Sequence, residues 1–598
     1  MVEATYDYVV VGSGAGGGTV AARLAEAGMR VLVLEAGPDP GGEANYEVPA
    51  FHPLASEDPQ FSWAQKVSHF EAPQEACLDE KADADGNVLY PRAGALGGCS
   101  AHNAMIFLPP PDEDWDWLAR QTGDEGWSAA AMRGHRRSVE QCRHRPMWRL
   151  LALLGIDSTG HGWRGWLPVE KALPLRAIVD AGMIRAIFFA ALVELGRGKG
   201  LRAKLRAVWQ NWGDPNDIRR GGSEQLCYLP LSTDRHARTG ARERLHSVAA
   251  RHPERLDIQT DALATRIILD DKGRALGVDW TKGRHLYRAC PQPSEEEGRM
   301  MTAYASREVI IAAGAFATPQ LLMLSGIGDP ERMAAHGIAP RISLPEVGRN
   351  LQDRYEISIV NRLARPWKSM RGADFSIGDR PYWRWRYWRL GMYVSNGAAL
   401  TALRRSSRAR GHDPDLALMG LIGRFRGYYT GYAQDTWAGR DGFSWAVLKG
   451  QTGNRAGSVD LASADPRDPP LVRFRNFADH GDADLDALVE GLEMARELTR
   501  PLEDCGAIAE EEVPGRHVEG GALRQWVRTR AWGHHACGTA AIGPVLDPRG
   551  KVHGTNCLRV VDASIFPRIP GLFLVAAIYL AAEKLAADIL ADAGQRKG

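Results

Sequence analysis

The chain has 598 residues, 44% hydrophobic and 25% charged, with 74 basic against 73 acidic side chains for a net charge of +1. That length supports two or three domains around a large core, and the balanced charge gives no field that would gather nucleic acid. The eight cysteines are scattered without a CxxC pair, so neither a zinc site nor a disulfide framework is indicated and no metal ligands are assigned. The start of the chain enters an apolar run with no basic, cleavable leader. No apolar run approaches the roughly 20 residues of a membrane helix, and the longest, 186–193 and 572–582, read as buried segments. These features fit a cytoplasmic protein. The eighteen tryptophans point to aromatic-lined pockets or interfaces, or they serve as core filler.

Residues 6–11 read as a short strand, followed by Gly12, Ser13, Gly14, Ala15, Gly16 and Gly17, a helix over 19–27, and a second strand over 30–34 ending in Glu35. This is G-x-G-x-x-G between strand and helix, with an acidic residue 18 positions after Gly17. The glycines allow a tight turn and bring a pyrophosphate to the helix N-terminus, where free N–H groups and the helix dipole favour negative charge. Glu35 would accept hydrogen bonds from ribose hydroxyls.

Residues 90–105 read YPRAGALGGCSAHNAM. Gly97 and Gly98 let the backbone come close to something flat, and His102 sets a nucleophile-capable imidazole beside the amide of Asn103. Between 145 and 224, Arg176, Arg185, Arg197, Lys199, Arg202, Lys204 and Arg206 alternate with apolar residues. Such a pattern rests on a membrane surface, meets an acidic partner, or is a solvated helix face. Residues 257–268 read as one β-branched strand.

A strand over 308–313 leads into GAFATPQLLMLSGIG (314–328), read as a turn and a helix capped by Thr318, with Pro319 at its first position and its end at Gly326. Pro345 to Asp353 follow as PEVGRNLQD. Within 366–411, Trp383, Trp385 and Trp388 suggest a lid or a subunit contact, and 478–500 reads as a long helix. Near the C-terminus come WGHHACGT (532–539) and LRVVDAS (558–564), then an apolar helix after Gly571. Two adjacent histidines could suggest a metal, but consecutive ring directions and the lack of nearby carboxylates argue against it.

Residues 90–105 resemble the flavin-facing motif of the glucose–methanol–choline (GMC) oxidoreductases, roughly P-R-G-K-x-L-G-G-S-S-x-x-N-x-M. The segment 314–328 is similar to that family's second signature, 345–353 to its P-G-V-G-x-N-L-x-D segment, and 532–539 to its H-x-x-G-T catalytic segment. Glu35 followed by Ala36 and Gly37 is the form of the FAD-binding members. A histidine before the asparagine resembles choline-oxidase-like members, in the choline-oxidase/choline-dehydrogenase-like branch, where it carries FAD on a covalent histidyl bond. His102 is either that link or a polar residue beneath the flavin.

The resemblance implies a two-domain α/β flavoprotein. The Rossmann-like FAD-binding domain would comprise 1–45, 86–145, 225–350 and 530–598. The substrate domain would comprise 46–85, 146–224 and 351–529, an antiparallel sheet with helices. Arg92, Leu96, Gly97, Gly98, Cys99, Ser100, Asn103, Ala104 and Met105 would face the flavin, with Asn103 near N5. Ala264 would lie near adenine, Ala313 and Gly314 against the cofactor, and Asp562 and Ala563 at the ribityl or pyrophosphate region. His535 would be the base for an alcohol hydroxyl while hydride leaves for flavin N5; an imidazole suits that task near neutrality.

The family's second histidine or asparagine falls on Val575 here, so His534 replaces it, a polar residue from the cap replaces it, or His535 works alone. The substrate would be a small alcohol, bulky or aromatic, and the acceptor O2 or another molecule. A homo-oligomer and a peripheral membrane contact stay open. The alternatives are a redox-silent FAD lyase of the hydroxynitrile-lyase kind, a nicotinamide dehydrogenase and a non-catalytic partner-binding flavoprotein.

Overall fold

The computed structural model describes residues 5–171 and 212–595. The basic stretch from Arg176 to Arg206 and the apolar run 186–193 lie outside them. Among the described residues no helix is long and apolar enough to cross a membrane.

Two seven-stranded sheets organise the chain. The first has the order Leu256–Gln259, Val31–Leu34, Thr5–Val11, Arg299–Ile311, Ala275–Lys282 and Ala262–Leu269, with Leu558–Val560 also paired to Arg299–Ile311. Its central pairings are parallel, and the last two strands join antiparallel. The central strands are nearly continuous apolar runs because both faces are covered, so Val9, Val10, Val31 and Val33 are fully buried. Helix Ala15–Glu26 starts directly behind Gly14, four residues earlier than the sequence pattern suggests, and packs on helix Leu574–Gln595. Its first-turn glycines face other neighbours: Gly16 the backbone of Val561, Gly17 that of Gly12, and Gly18 the side chain of Ala241.

Residues 257–268 are not one strand. Leu256–Gln259 and Ala262–Leu269 lie at opposite edges of this sheet. The chain turns at Asp261, whose φ is +48°, and its N–H donates to Gly37 O at 3.0 Å. The β-branched composition runs on through the turn, so periodicity alone does not reveal the break.

The second sheet has the order Ile508–Val513, Tyr355–Leu363, Gly442–Lys449, Leu416–Ile422, Ala398–Arg404, Gln225–Cys227 and Trp212–Gly213. All its pairings are antiparallel except the last. Helix Gly481–Asp504 covers one face with Leu485, Leu488, Leu492 and Ala495 at helical spacing. Gly491 lets it approach, since a Cβ there would lie 2.6 Å from Val447 Cγ1.

A smaller sheet pairs Ser62–Ser68 with Asn87–Ala93, across the border expected at 85/86, because hairpin partners are local. Gln225–Cys227, expected with the cofactor segments, extends the second sheet instead. In helix Arg380–Trp388, Trp385 is buried and donates to His236 O at 2.8 Å. Trp383 and Trp388 are exposed.

Candidate active site

One cleft runs from the first sheet's Gly12–Gly16 turn to the ring of His535, with a cavity volume of about 290 Å³. The nucleotide turn enters it through Gly12, Ser13, Gly14, Ala15 and Gly16, with Glu35 and Ala36 beside them. Arg92, Gly98, Cys99, Ser100, His102, Asn103, Ala104 and Met105 form its middle wall. Ala264, Ala313, Gly314, Asp562 and Ala563 line it too, and His534 and His535 stand at the far end.

Three expected residues sit behind the wall instead. A Cβ on Gly17 would lie 2.0 Å from Gly12 O, so Gly17 packs the turn against itself. Leu96 is buried in the core. Gly97, at φ +100°, gives its N–H to Ser13 Oγ at 2.9 Å.

The cradle is made where backbone meets backbone. A Cβ on Gly12 would lie 2.3 Å from Ala312 O, on Gly16 1.9 Å from Val561 O, and on Gly98 2.7 Å from Gly14 Cα. Segments far apart in sequence thus close on one another only through glycine. Glu35 is buried and accepts from Ser13 N at 3.0 Å, Ser13 Oγ, and Gly37 N at 3.0 Å. Burial pushes its carboxyl pKa up, and these hydrogen bonds oppose that.

Helix Gly314–Leu324 begins at Gly314, with Pro319 inside it, rather than at Thr318 as the sequence suggests. The early start is held from outside the helix. Asp562 Oδ2 accepts from Gly314 N at 2.8 Å and from Thr318 Oγ1 at 2.5 Å. Pro319 has no N–H for the carbonyl of Ala315, and that oxygen accepts from Thr539 Oγ1 at 2.7 Å instead. The helix defect therefore docks the loop that carries His535.

Asp353 fixes that loop further. Its carboxylate accepts from His535 N at 2.7 Å, Arg354 N at 2.7 Å and Tyr90 OH at 2.6 Å. Arg354 is buried and donates to the carbonyls of Leu572, at 2.6 Å, and Pro570, just before the closing helix.

The His535 ring lies 4.0 Å from that of His534 and 5.9 Å from Phe573, centroid to centroid. Burial first, then His534, Arg354 and Arg92, hold the His535 pKa well below its ordinary 6.5. His102 falls to about 3 through burial, Arg92 and Arg238, and its Nδ1 has no protein partner. The Nδ1 of His535 is also unpartnered. Arg238 donates to Asn103 Oδ1 at 3.0 Å, as does Met105 N at 3.0 Å. The Asn103 oxygen is thus used, which leaves its NH2 as the end available to the cleft. The result is an electropositive corner in which the imidazoles of His102 and His535 have lowered pKa values beside buried guanidinium groups, suited to anionic charge developing there.

The sequence reading found no carboxylate near the paired histidines, but Glu356 Oε2 lies 3.1 Å from His534 Nδ1. Strand Tyr355–Leu363 delivers it from 178 positions upstream, which no local pattern displays. Val575 does line the cleft, and it offers no polar group there. Sequence reasoning also missed His52, Ser56, Tyr428 and Tyr432 at this end, and Trp63 and Tyr287 at the nucleotide end. None of them has a recognisable motif around it. Trp383, Trp385 and Trp388 do not line the cleft.

The cleft fits FAD: glycine cradles where no Cβ fits, a buried acid beyond the second strand, and unpartnered imidazole nitrogens at the opposite end. The family models described as GMC oxidoreductase match residues 6–356 and 453–582. An oxygen-dependent choline dehydrogenase of Xanthomonas axonopodis pv. citri is 29% identical over 593 residues, covering 98% of this chain and 95% of that one. An alcohol dehydrogenase [acceptor] of Pseudomonas putida is 29% identical over 592 residues, covering 94% and 92%. A formate oxidase of Aspergillus oryzae RIB40, studied for FAD modification, has the same fold, with a TM-score of 0.80 at 22% identity over 100% of both chains. Pyridoxine 4-oxidase from Mesorbium loti gives 0.75 at 21% identity, over 98% of this chain and 99% of that one. The chain belongs to the GMC oxidoreductase family and is an FAD-dependent enzyme that oxidises an alcohol.

Proposed function

We propose that His535 is the base that takes the hydroxyl proton of a bulky, apolar or aromatic alcohol, with His534 in the place of the family's usual second polar residue. The observation that carries this is the unpartnered, buried Nδ1 of His535 in the cleft, beside the His534 ring at 4.0 Å. Bound FAD supplies the hydride acceptor. Asp353 holds the His535 backbone, while Tyr428, Tyr432 and Phe573 give the substrate end aromatic walls and exclude water. The NH2 of Asn103 and the guanidinium of Arg92 stabilise negative charge as it develops. His102 makes the covalent histidyl bond to FAD; its buried, unpaired Nδ1 on the cleft wall supports this. Apart from 62–68 and 225–227, which pair across these borders, the segments 1–45, 86–145, 225–350 and 530–598 serve the cofactor, and 46–85, 146–224 and 351–529 the substrate. The acceptor is O2 or another oxidant, a homo-oligomer is open, and eight unpaired cysteines support a reducing, cytoplasmic setting.

The oxidoreductase names of the relatives give the lyase reading no support. The test is anaerobic mixing with a panel of aromatic and aliphatic alcohols. Bleaching of the flavin by an apolar or aromatic alcohol is expected, and an oxygen pulse then tells oxidase from dehydrogenase. Flavin that dithionite reduces but no alcohol does would overturn the proposal. Acid precipitation tests His102: yellow colour stays with the pellet, and colour in the supernatant removes the covalent bond.

A further inference from the structure

Away from the cleft, Cys142, His144 and His161 bring one donor atom each within 4.8 Å of one another. Cys142 closes the short strand Glu140–Cys142. The side chains of both histidines and of Asp214 are essentially inaccessible, and Cys142 is fully buried. None of the four lines the cleft.

The ring orientations are informative. His161 Nδ1 lies 2.8 Å from Glu140 Oε1, and His144 Nδ1 lies 3.2 Å from Val169 O. Each ring can therefore place its one neutral-state hydrogen on an oxygen and turn the Nε2 lone pair inward. Both Nε2 atoms then face Asp214 Oδ2, at 2.9 Å from His144 and 3.1 Å from His161. The rings stand at 89° to each other. Cys142 Sγ is 3.7 Å from His144 Nε2. The other Asp214 oxygen is held by Asn216 N at 3.0 Å. Glu140 is itself held by Arg136 Nε and Gly162 N, both at 3.0 Å.

Three donor atoms so close together, with a carboxylate oxygen against both Nε2 atoms, also suit a divalent cation. Thiolate and carboxylate cancel its charge, the two imidazoles stay neutral, and Glu140 pairs with Arg136. An oxygen acceptor behind each ligating imidazole is the arrangement that fixes a metal-binding tautomer.

We propose that Cys142, His144, His161 and Asp214 form a structural zinc site. Thiolate and imidazole together suit zinc, and four protein ligands leave no open position for catalysis. The ion would clamp the strand end at 142–144, the loop at 161 and the turn at 214–217. Asn216 in that turn donates to Phe107 O at 2.9 Å. Phe107 follows Met105 and Ile106, which line the cleft, so the clamp braces that wall.

Metal analysis of the purified full-length holoenzyme after gel filtration tests this. About one zinc per chain is expected, with one sulfur ligand at about 2.3 Å by X-ray absorption. Cobalt exchanged into the site gives a sulfur-to-metal charge-transfer band. Cys142→Ala and His161→Ala lose the zinc, while Cys505→Ala, at an exposed cysteine, retains it; flavin content reports that each has folded. The proposal is overturned if the unmutated protein neither contains zinc nor takes it up in equilibrium dialysis. It is equally overturned if its zinc has no sulfur ligand, or if folded Cys142→Ala and His161→Ala bind zinc as the parent does.

Discussion

The two ends of the cleft are made of different material. At the nucleotide end the walls are backbone: Gly12 on Ala312, Gly16 on Val561, Gly98 on Gly14. At the His535 end they are side chains from separate loops: His52, His102, Tyr428, Tyr432, His534 and Phe573. The first end tolerates no added atom but places few demands on side-chain chemistry. The second accepts changes of shape and loses activity when a functional group is removed. The lesson is that stability and cofactor retention are vested mainly in one end, turnover in the other.

The largest effect should come from Gly16→Val. Its Cβ has nowhere to go but Val561 O, 1.9 Å away, so soluble yield and flavin content should collapse together. A stable yellow variant would break the contrast. His535→Ala should keep the flavin spectrum and lower kcat by roughly 10²–10⁴-fold, the usual contribution of a general base. Because burial and neighbouring cations hold the His535 pKa low, the parent's acid limb in kcat/KM should lie below pH 6.5. A limb above that value would contradict the site's electrostatics.

Acid should act oppositely on the two ends. His52 lines the substrate end, and burial followed by Arg238 lowers its pKa from 6.5 to about 3. Below pH 6.5 the unfolded chain binds a proton that the folded chain refuses, so stability falls from there down to about pH 3. Roughly 5 kcal/mol is at stake for this residue at full effect, and His52→Gln should flatten that part of the midpoint-versus-pH curve. Glu35 has a raised pKa, so the folded state gains relative stability on acidification as that carboxyl protonates. Glu35→Gln should remove that gain, and identical curves for the two variants would erase the distinction. The smallest effect is Thr539→Val, which leaves the Ala315 carbonyl beside Pro319 without its donor. A loss of about 1 kcal/mol is expected, read as a thermal shift of a few degrees with the flavin still bound.

The same contrast explains what could be read from the residues in order. The nucleotide end was legible because backbone contacts require glycine at fixed positions, and 12–17, 97–98 and 314 carry them visibly. His535 was legible through its spacing to Gly538 and Thr539. His52, Tyr428 and Glu356 were not, because each acts through the place where a distant strand or loop delivers it. The start of helix Gly314–Leu324 was misplaced for a similar reason. Pro319 signals a first turn by local rules, and the partner that makes it tolerable inside the helix is Thr539, 220 positions away. The Cys142–Asp214 group escaped a search for paired cysteines because its donors span 72 positions and include only one thiol.

The contacts of Gly12 with Ala312 and of Gly16 with Val561 also set a timetable. The dinucleotide turn leaves the ribosome long before its floor, which is supplied by residues 312 and 561. The nascent chain carries a half-built cradle, with the apolar strands 5–11 and 31–34, until those residues emerge. Domains that fold as they emerge normally bury such surface early. Flavin capture in this protein must wait for residue 561, and a ribosome stalled before that residue should display a chain that cannot hold the cofactor.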